Sequence, residues 1–202
     1  MTENSYSGEF VVFEGLDGSG QTTQAKLLKE YLEEQGFKVL MTKEPTLDSL
    51  AGKKIRQILD EKEEISPAEL QKLFVQDRKE HLENEILPAL KRGEVVISDR
   101  YFFSTFAFGA ASGLDLEWLI DLNKDFPVPD LTFILKARPE TCLQRIEKRG
   151  TAKTLFEKKE KMGKAWQVYE ILLQRFENLF LIDAEQSIEQ VFNQIKKIIN
   201  QN

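Results

Sequence analysis

Phe10-Val11-Val12-Phe13-Glu14-Gly15-Leu16-Asp17-Gly18-Ser19-Gly20-Gln21-Thr22-Thr23 passes from a β-branched and aromatic run directly into a glycine-rich turn and then into a helical pattern. Glycines at 15, 18 and 20 let the backbone curl until successive N–H groups face one concavity, and the helix that follows adds the positive end of its dipole. Such a nest suits a di- or triphosphate. Thr22 stands where a loop of this kind uses a hydroxyl to hold magnesium, and Gln21 stands where it normally carries lysine. An amide donates hydrogen bonds to phosphate but cannot neutralise charge that shifts toward the β–γ bridge during phosphoryl transfer. A glycine-rich strand-to-helix turn without a ligand is the alternative reading. The whole pattern from Gly15 to Thr23 at this junction favours nucleotide binding over it. Lys26, one helical turn further on, is expected to face solvent and not to replace the missing charge.

Outward from this loop, Ala25, Leu28 and Leu32 recur at helical spacing over Thr22–Gln35, and Gly36 can end that helix in a left-handed conformation. A second β-rich run, Lys38–Thr42, completes a βαβ unit, and Val95–Ser98, Leu131–Leu135 and Leu179–Ile182 read as three further strands. The alternation predicts an α/β chain with a parallel sheet covered by helices on both faces. Ser66, Pro67 and Glu69 occupy the N-cap, N1 and N3 positions of a helix expected to run toward Gly93 with a kink at Pro88, and Pro139 is expected to open another. The stretch from Arg149 to Lys164 is the least regular, a candidate flap or a solvated helix surface.

The 202 residues suit one domain with a substantial core, and 41% apolar with 31% charged residues exclude a disordered tail or a membrane-embedded chain. A net charge of −6 gives no electrostatic footprint for nucleic acid, so anion binding has to be local. Cys142 is the sole cysteine and can form no internal disulfide, and neither a secretory signal nor a membrane span is evident, which makes the cytoplasm the expected compartment. Cys142 and His81 lack partners at metal-ligand spacing.

The third strand ends in Ser98-Asp99-Arg100-Tyr101, at the carboxyl end where ligands of open α/β sheets collect. Asp99 can reach a metal through water and Arg100 offers a fork that matches phosphate, although such a pair often forms only a mutual salt bridge. Phe74 and Arg78 lie four residues apart on one helix face, with Gln71 and His81 adjoining, an arrangement able to stack a base and bond its edge. Taken singly, Phe74 would read as core and Arg78 as surface.

Thr42-Lys43-Glu44-Pro45, Leu73-Phe74-Val75-Gln76-Asp77-Arg78, Asp99 through Phe108 and the glycine-rich loop, in this order and spacing, resemble thymidylate kinases, in particular archaeal-type members. The resemblance covers nearly the whole chain. It implies a P-loop NTPase fold with a five-stranded parallel sheet, helices on both faces and a lid at about 145–164, all in one domain over residues 1–202. It also implies transfer of the γ-phosphoryl of ATP to dTMP with Mg²⁺, usually by a homodimer, with no nucleic-acid or membrane partner. Residue by residue, Asp17 would lie near the sugar 3′-hydroxyl and acceptor phosphate, Phe74 would stack on thymine, and Arg78 would bond its O4. Arg100 would grip the monophosphate, Thr22 and Asp99 would serve the metal, and Thr105, beside Ser104, is a candidate for thymine N3. Lys43, Glu44, Pro45, Tyr101 and Phe108 complete the acceptor site.

Three positions depart from the family pattern besides Gln21: Lys43 replaces arginine, Phe108 replaces a tyrosine set against the deoxyribose, and Gly109 replaces glutamine. Gln144 through Gly150 resemble the lid that closes over ATP, and Ser19 in the loop implies that the catalytic cation comes from Arg145, Arg149 or Lys153. Lys158, Lys159 and Lys161 read instead as a solvated face. Phe102, Phe103, Phe106 and Phe108 are expected in the core or at a dimer contact, Tyr169 and Phe176 in packing, and Asp183 either near adenine or as a loop cap. A kinase for dUMP or another pyrimidine monophosphate, and a nucleotide-binding paralogue without catalysis, remain the competing readings.

Overall fold

All five predicted strands are present in the computed structural model, which describes residues 3–60, 63–148 and 155–201. They are β1 (Phe10–Gly15), β2 (Val39–Lys43), β3 (Val95–Asp99), β4 (Leu131–Lys136) and β5 (Leu179–Asp183), all parallel, in the order β2-β3-β1-β4-β5. Every residue of β1 is buried, as expected of a central strand covered on both faces. Helix α1 (Gln21–Glu34) packs with α9 (Ile188–Ile199), while α5 (Phe102–Ala111) packs with α8 (Leu155–Arg175). The register aligns the functional ends: Phe13 and Lys43 both pair with Asp99, and Gly15 pairs with Leu135. Each strand runs one residue further than predicted at its carboxyl end, which brings Gly15, Lys43, Asp99 and Asp183 inside the ladder.

The helix predicted from Ser66 starts as read, since Ser66 and Glu69 form a reciprocal capping box, but it is not continuous to Gly93. Helix α3 (Pro67–His81) gives way to a π-helical turn, Leu82–Ile86, before α4 (Leu87–Lys91). The cause is Pro88, which has no N–H for the carbonyl of Asn84; Leu87 bonds back to Leu82 instead, widening the turn. Gly36 adopts φ +88° as expected, and Pro139 opens α7 (Pro139–Glu147).

Helices α2 (Leu50–Leu59), α5, α6 (Leu116–Leu122) and α9 stand outside the periodicity reading. For α5 the reason is its composition: apolar residues surround it, so no stripe marks a face. Phe102, Phe103 and Phe106 are fully buried with ring centroids 4.6 to 5.8 Å apart, which makes them core. Phe176 packs edge-on against Phe103. The described part of the lid stretch consists of the end of α7 and the first turns of α8. Arg149, Gly150 and Lys153 lie outside the described residues, as does the side chain of Lys158.

Candidate active site

The turn after β1 is shaped by its glycines. Gly15 has φ +144° and Gly18 φ +87°, and a Cβ on Gly18 would sit 2.5 Å from the carbonyl oxygen of Cys142, so α7 leaves no room for a side chain there. Helix α1 begins at Gln21 with no side-chain cap; Thr23 and Gln24 donate their N–H groups to the Gly20 carbonyl, leaving those of Gln21 and Thr22 without intrahelical partners. Gln21 is buried and donates to the carbonyls of Gly15 at 3.0 Å and Leu16 at 3.2 Å. The amide therefore braces the loop across its mouth. Leu16 is core, Ser19 donates its N–H to Leu16, and Lys26 is exposed as expected.

Asp99 and Arg100 do not pair with each other. Asp99 accepts from the Thr22 hydroxyl and from Lys43 Nζ at 3.1 Å through the same oxygen. Arg100 adopts φ +79°, a left-handed conformation rare outside glycine, and turns its guanidinium back over the loop. Its NH1 donates to Gly15 O at 3.1 Å and Ser104 Oγ at 2.7 Å, and NH2 donates to Asp17 Oδ1 at 2.6 Å. Phe108 lies under the guanidinium at 5.4 Å. Burial works against the charge on Arg100, but Asp17, Tyr169 and Glu14 more than offset it and hold its pKa above the ordinary value.

Beneath Arg100 sits Glu14, which the sequence reading treated only as the end of a strand. It is fully buried and accepts from the N–H groups of Tyr101 (2.9 Å) and Ser104 (3.0 Å), from Ser104 Oγ (2.5 Å) and from the Tyr169 hydroxyl (2.9 Å). Its pKa is raised, burial outweighing Arg100 and these donors. Tyr169 thus does more than pack: it ties α8 to the strand below the loop. Glu14→Leu would strand two buried backbone N–H groups and leave Arg100 only Asp17 as a paired carboxylate, and urea titration should show a loss of about 3–5 kcal/mol. Glu14→Gln should cost much less, because the two hydroxyls can turn round to accept from its amide.

A cavity of about 700 Å³ opens between these groups, lined by Asp17, Gly18, Gln21 and Thr22 of the loop and α1, by Lys43, Glu44 and Pro45, by Phe74 and Arg78, and by Asp99, Arg100, Tyr101, Ser104, Thr105 and Phe108. Phe74 is partly exposed, whereas Arg78 is sealed. Arg78 gives Nε to Glu44 (2.8 Å), NH1 to Asn123 (2.5 Å) and NH2 to Thr105 (3.1 Å). His81 joins the same cluster through Glu44 at 3.3 Å and Thr42 at 2.6 Å, a hydrogen-bonding role. Asp77, buried and unremarked in sequence, accepts from Thr46 and Ser49 and pins the loop that follows β2. Asn123 also went unread, for no motif marks a residue whose partner comes from a distant helix. Tyr101 is buried in the aromatic floor.

Arg145 is placed behind the loop: it donates to the carbonyls of Ser19 (3.4 Å) and Ala184 (3.0 Å) and does not line the cavity. Leu143, Ile146, Lys161 and Met162 do line it, so α7 and α8 form its outer wall and Lys161 is more than a solvated residue. Lys159 pairs with Glu140 on the surface. Asp183 caps its own loop, accepting from Glu185 and Gln186. Burial pushes the Cys142 thiol up to about 12, which leaves it protonated and unreactive at neutral pH.

Residues 13–195 match the family model described as thymidylate kinase. The chain is 44% identical to a probable thymidylate kinase of Pyrococcus horikoshii, over 95% of this chain and 96% of that protein. It is 42% identical to a probable thymidylate kinase of Thermococcus kodakarensis, over 94% and 96% of the two. A thymidylate kinase of Desulfotalea psychrophila is 37% identical over 91% and 90%.

Proposed function

Because the chain belongs to the thymidylate kinase family, we propose that it transfers the γ-phosphoryl group of ATP to dTMP, giving dTDP and ADP. The observation that carries this reading is Arg100, whose one guanidinium touches the phosphate loop at Gly15 and Asp17 and the helix α5 at Ser104. A fork at that place can hold an acceptor phosphate against a donor lying in the loop. The identity to Pyrococcus and Thermococcus proteins supports an archaeal-type assignment.

The reaction is positioning and electrostatics. An oxygen of the dTMP phosphate attacks the γ-phosphorus in line, the bond from that phosphorus to the bridging oxygen breaks, and ADP leaves with the electron pair. The loop amides from Gly15 to Thr23 cradle the ATP phosphates, with Gln21 bracing the loop. Arg100 orients the acceptor phosphate and Asp17 sits beside it; Phe74 stacks on the base, with Arg78, Thr105 and Phe108 around it. Lys43, Glu44, Pro45, Tyr101 and Ser104 shape the remaining wall. Thr22 and Asp99 place two oxygens in contact, a donor set that fits Mg²⁺, and among the described residues no cluster of three or more His, Cys, Asp and Glu competes with them. When bound with the nucleotide that ion neutralises phosphate charge while taking few protein ligands.

The lid arginines are part of the proposal: Arg145 would have to leave the carbonyls of Ser19 and Ala184 to reach a phosphate, and Arg149 lies outside the described residues. A homodimer is supported by Leu47 and Leu50, which stand 68% and 81% exposed just before and at the start of α2. No described helix is long and apolar enough to cross a membrane; a cytoplasmic location is part of the proposed reading.

Coupled ADP release with ATP and each of dTMP, dUMP, UMP and dCMP tests the reading. Turnover is expected with dTMP and well below that with UMP and dCMP. Calorimetric binding of ATP and dTMP with no product would identify a non-catalytic paralogue instead.

A further inference from the structure

Gln71 lies on α3 one turn before Phe74 and two turns before Arg78, on the face turned to the cavity. It is 4% exposed, it lines the cavity, and its carbonyl oxygen is sealed from solvent with no hydrogen-bond partner. A buried, unpaired amide oxygen costs about 1–3 kcal/mol, so a side chain kept in this state needs another explanation than packing. Gly109 of α5 lies beside it. A Cβ at Gly109 would strike Leu119 at 2.8 Å and approach the Gln71 amide carbon to 3.4 Å.

The neighbours have already committed their polar atoms. Arg78 spends its guanidinium on Glu44, Asn123 and Thr105, and Thr105 Oγ1 already accepts from Arg78. Arginine also offers donors alone. A thymine stacked on Phe74 presents two carbonyls and one donor, the N3–H, on its pairing edge, and that donor needs an acceptor. Two buried side-chain oxygens among the described lining residues stand without a partner, Gln71 Oε1 and the Tyr101 hydroxyl; Tyr101 is fully buried in the aromatic floor, whereas Gln71 shares the helix face of Phe74, and rotation about its last torsion presents the oxygen to the cavity.

We propose that Gln71 reads the base of the acceptor nucleotide, its carbonyl accepting the pyrimidine N3–H and so selecting a base that carries a proton there. The inference rests on the dTMP reading above. It makes Gln71 a specificity-determining residue that contacts substrate.

Gln71→Leu removes the amide at nearly constant volume and leaves no unpaired group, so the free protein should melt at the same temperature or higher. Steady-state kinetics should show the dTMP KM rising about 10-fold or more while the ATP KM stays within about twofold. The second arm uses N3-methyl-dTMP, which lacks the donor. The wild type should discriminate against it relative to dTMP, and Gln71→Leu should lose at least about tenfold of that discrimination. Gln71→Met gives the same readings if the leucine variant does not fold. An unmoved dTMP KM, or an equal penalty for the N3-methyl analogue in both proteins, overturns the proposal. If wild-type protein turns over dTMP and the variant is unaffected, only the role of Gln71 falls; if wild-type protein does not use dTMP, both readings fall together.

Discussion

Arg100→Ala should reduce kcat/KM for dTMP by about 10³-fold or more while ATP affinity, read by calorimetry, changes by less than about threefold. The magnitude follows from what the guanidinium does in space. It offers two ends, one toward Asp17 and one toward Gly15 and Ser104, at the junction of the loop and α5. Its left-handed backbone is retained for this purpose, since φ +79° costs about 1–3 kcal/mol in a residue with a Cβ. Loss of the fork removes both the positioning of the acceptor phosphate and part of the charge that offsets repulsion between two phosphorylated nucleotides. ATP, held by loop amides, loses little. Arg100→Lys should recover only a small part, because a point charge cannot span the same two partners. The substitution also leaves Glu14 buried with less compensating charge, so a melting curve is needed beside the kinetics. Equal loss of dTMP use and ATP binding would contradict the assignment.

The fold was legible because its signals are local. The run from Phe10 to Thr23 contains strand, turn and helix start in order, and Ser66, Pro67 and Glu69 make a cap from neighbouring residues. The break before Pro88 was visible as a proline, but its form depended on which carbonyl found a new donor. The site was legible in part for the same reason: Gly15 to Thr23 and Asp99 to Arg100 are contiguous. What sequence could not supply were partners brought from afar. Glu14 and Tyr169 are separated by 155 positions and Arg78 and Asn123 by 45, so no spacing marks them. Position 145 illustrates the opposite case, where a motif gave a candidate but no orientation, and the guanidinium lies behind the loop.

Gln21→Lys should raise kcat for phosphoryl transfer to dTMP by about 10-fold or more with the ATP KM held within about threefold. In the present chain the amide at 21 satisfies the carbonyls of Gly15 and Leu16, a task an ammonium with three donors can share while leaving one for a phosphate oxygen. The difference between the two side chains is then charge: the amide stabilises ground and transition states alike, whereas a cation follows the negative charge that builds toward the bridging oxygen. ATP binding changes little because the loop amides already carry it. The cost falls on the free protein, where a lysine at a position 5% exposed must keep its charge without a carboxylate beside it, so the variant should melt lower than wild type in the absence of nucleotide and recover when ATP is added. A kcat that stays flat or falls would mean that the charge is already supplied from elsewhere. Arg145→Ala in both backgrounds would then locate it: a loss confined to the Gln21 protein identifies Arg145 as the cation, and equal losses in the two show that its bonds to Ser19 and Ala184 only shape the loop.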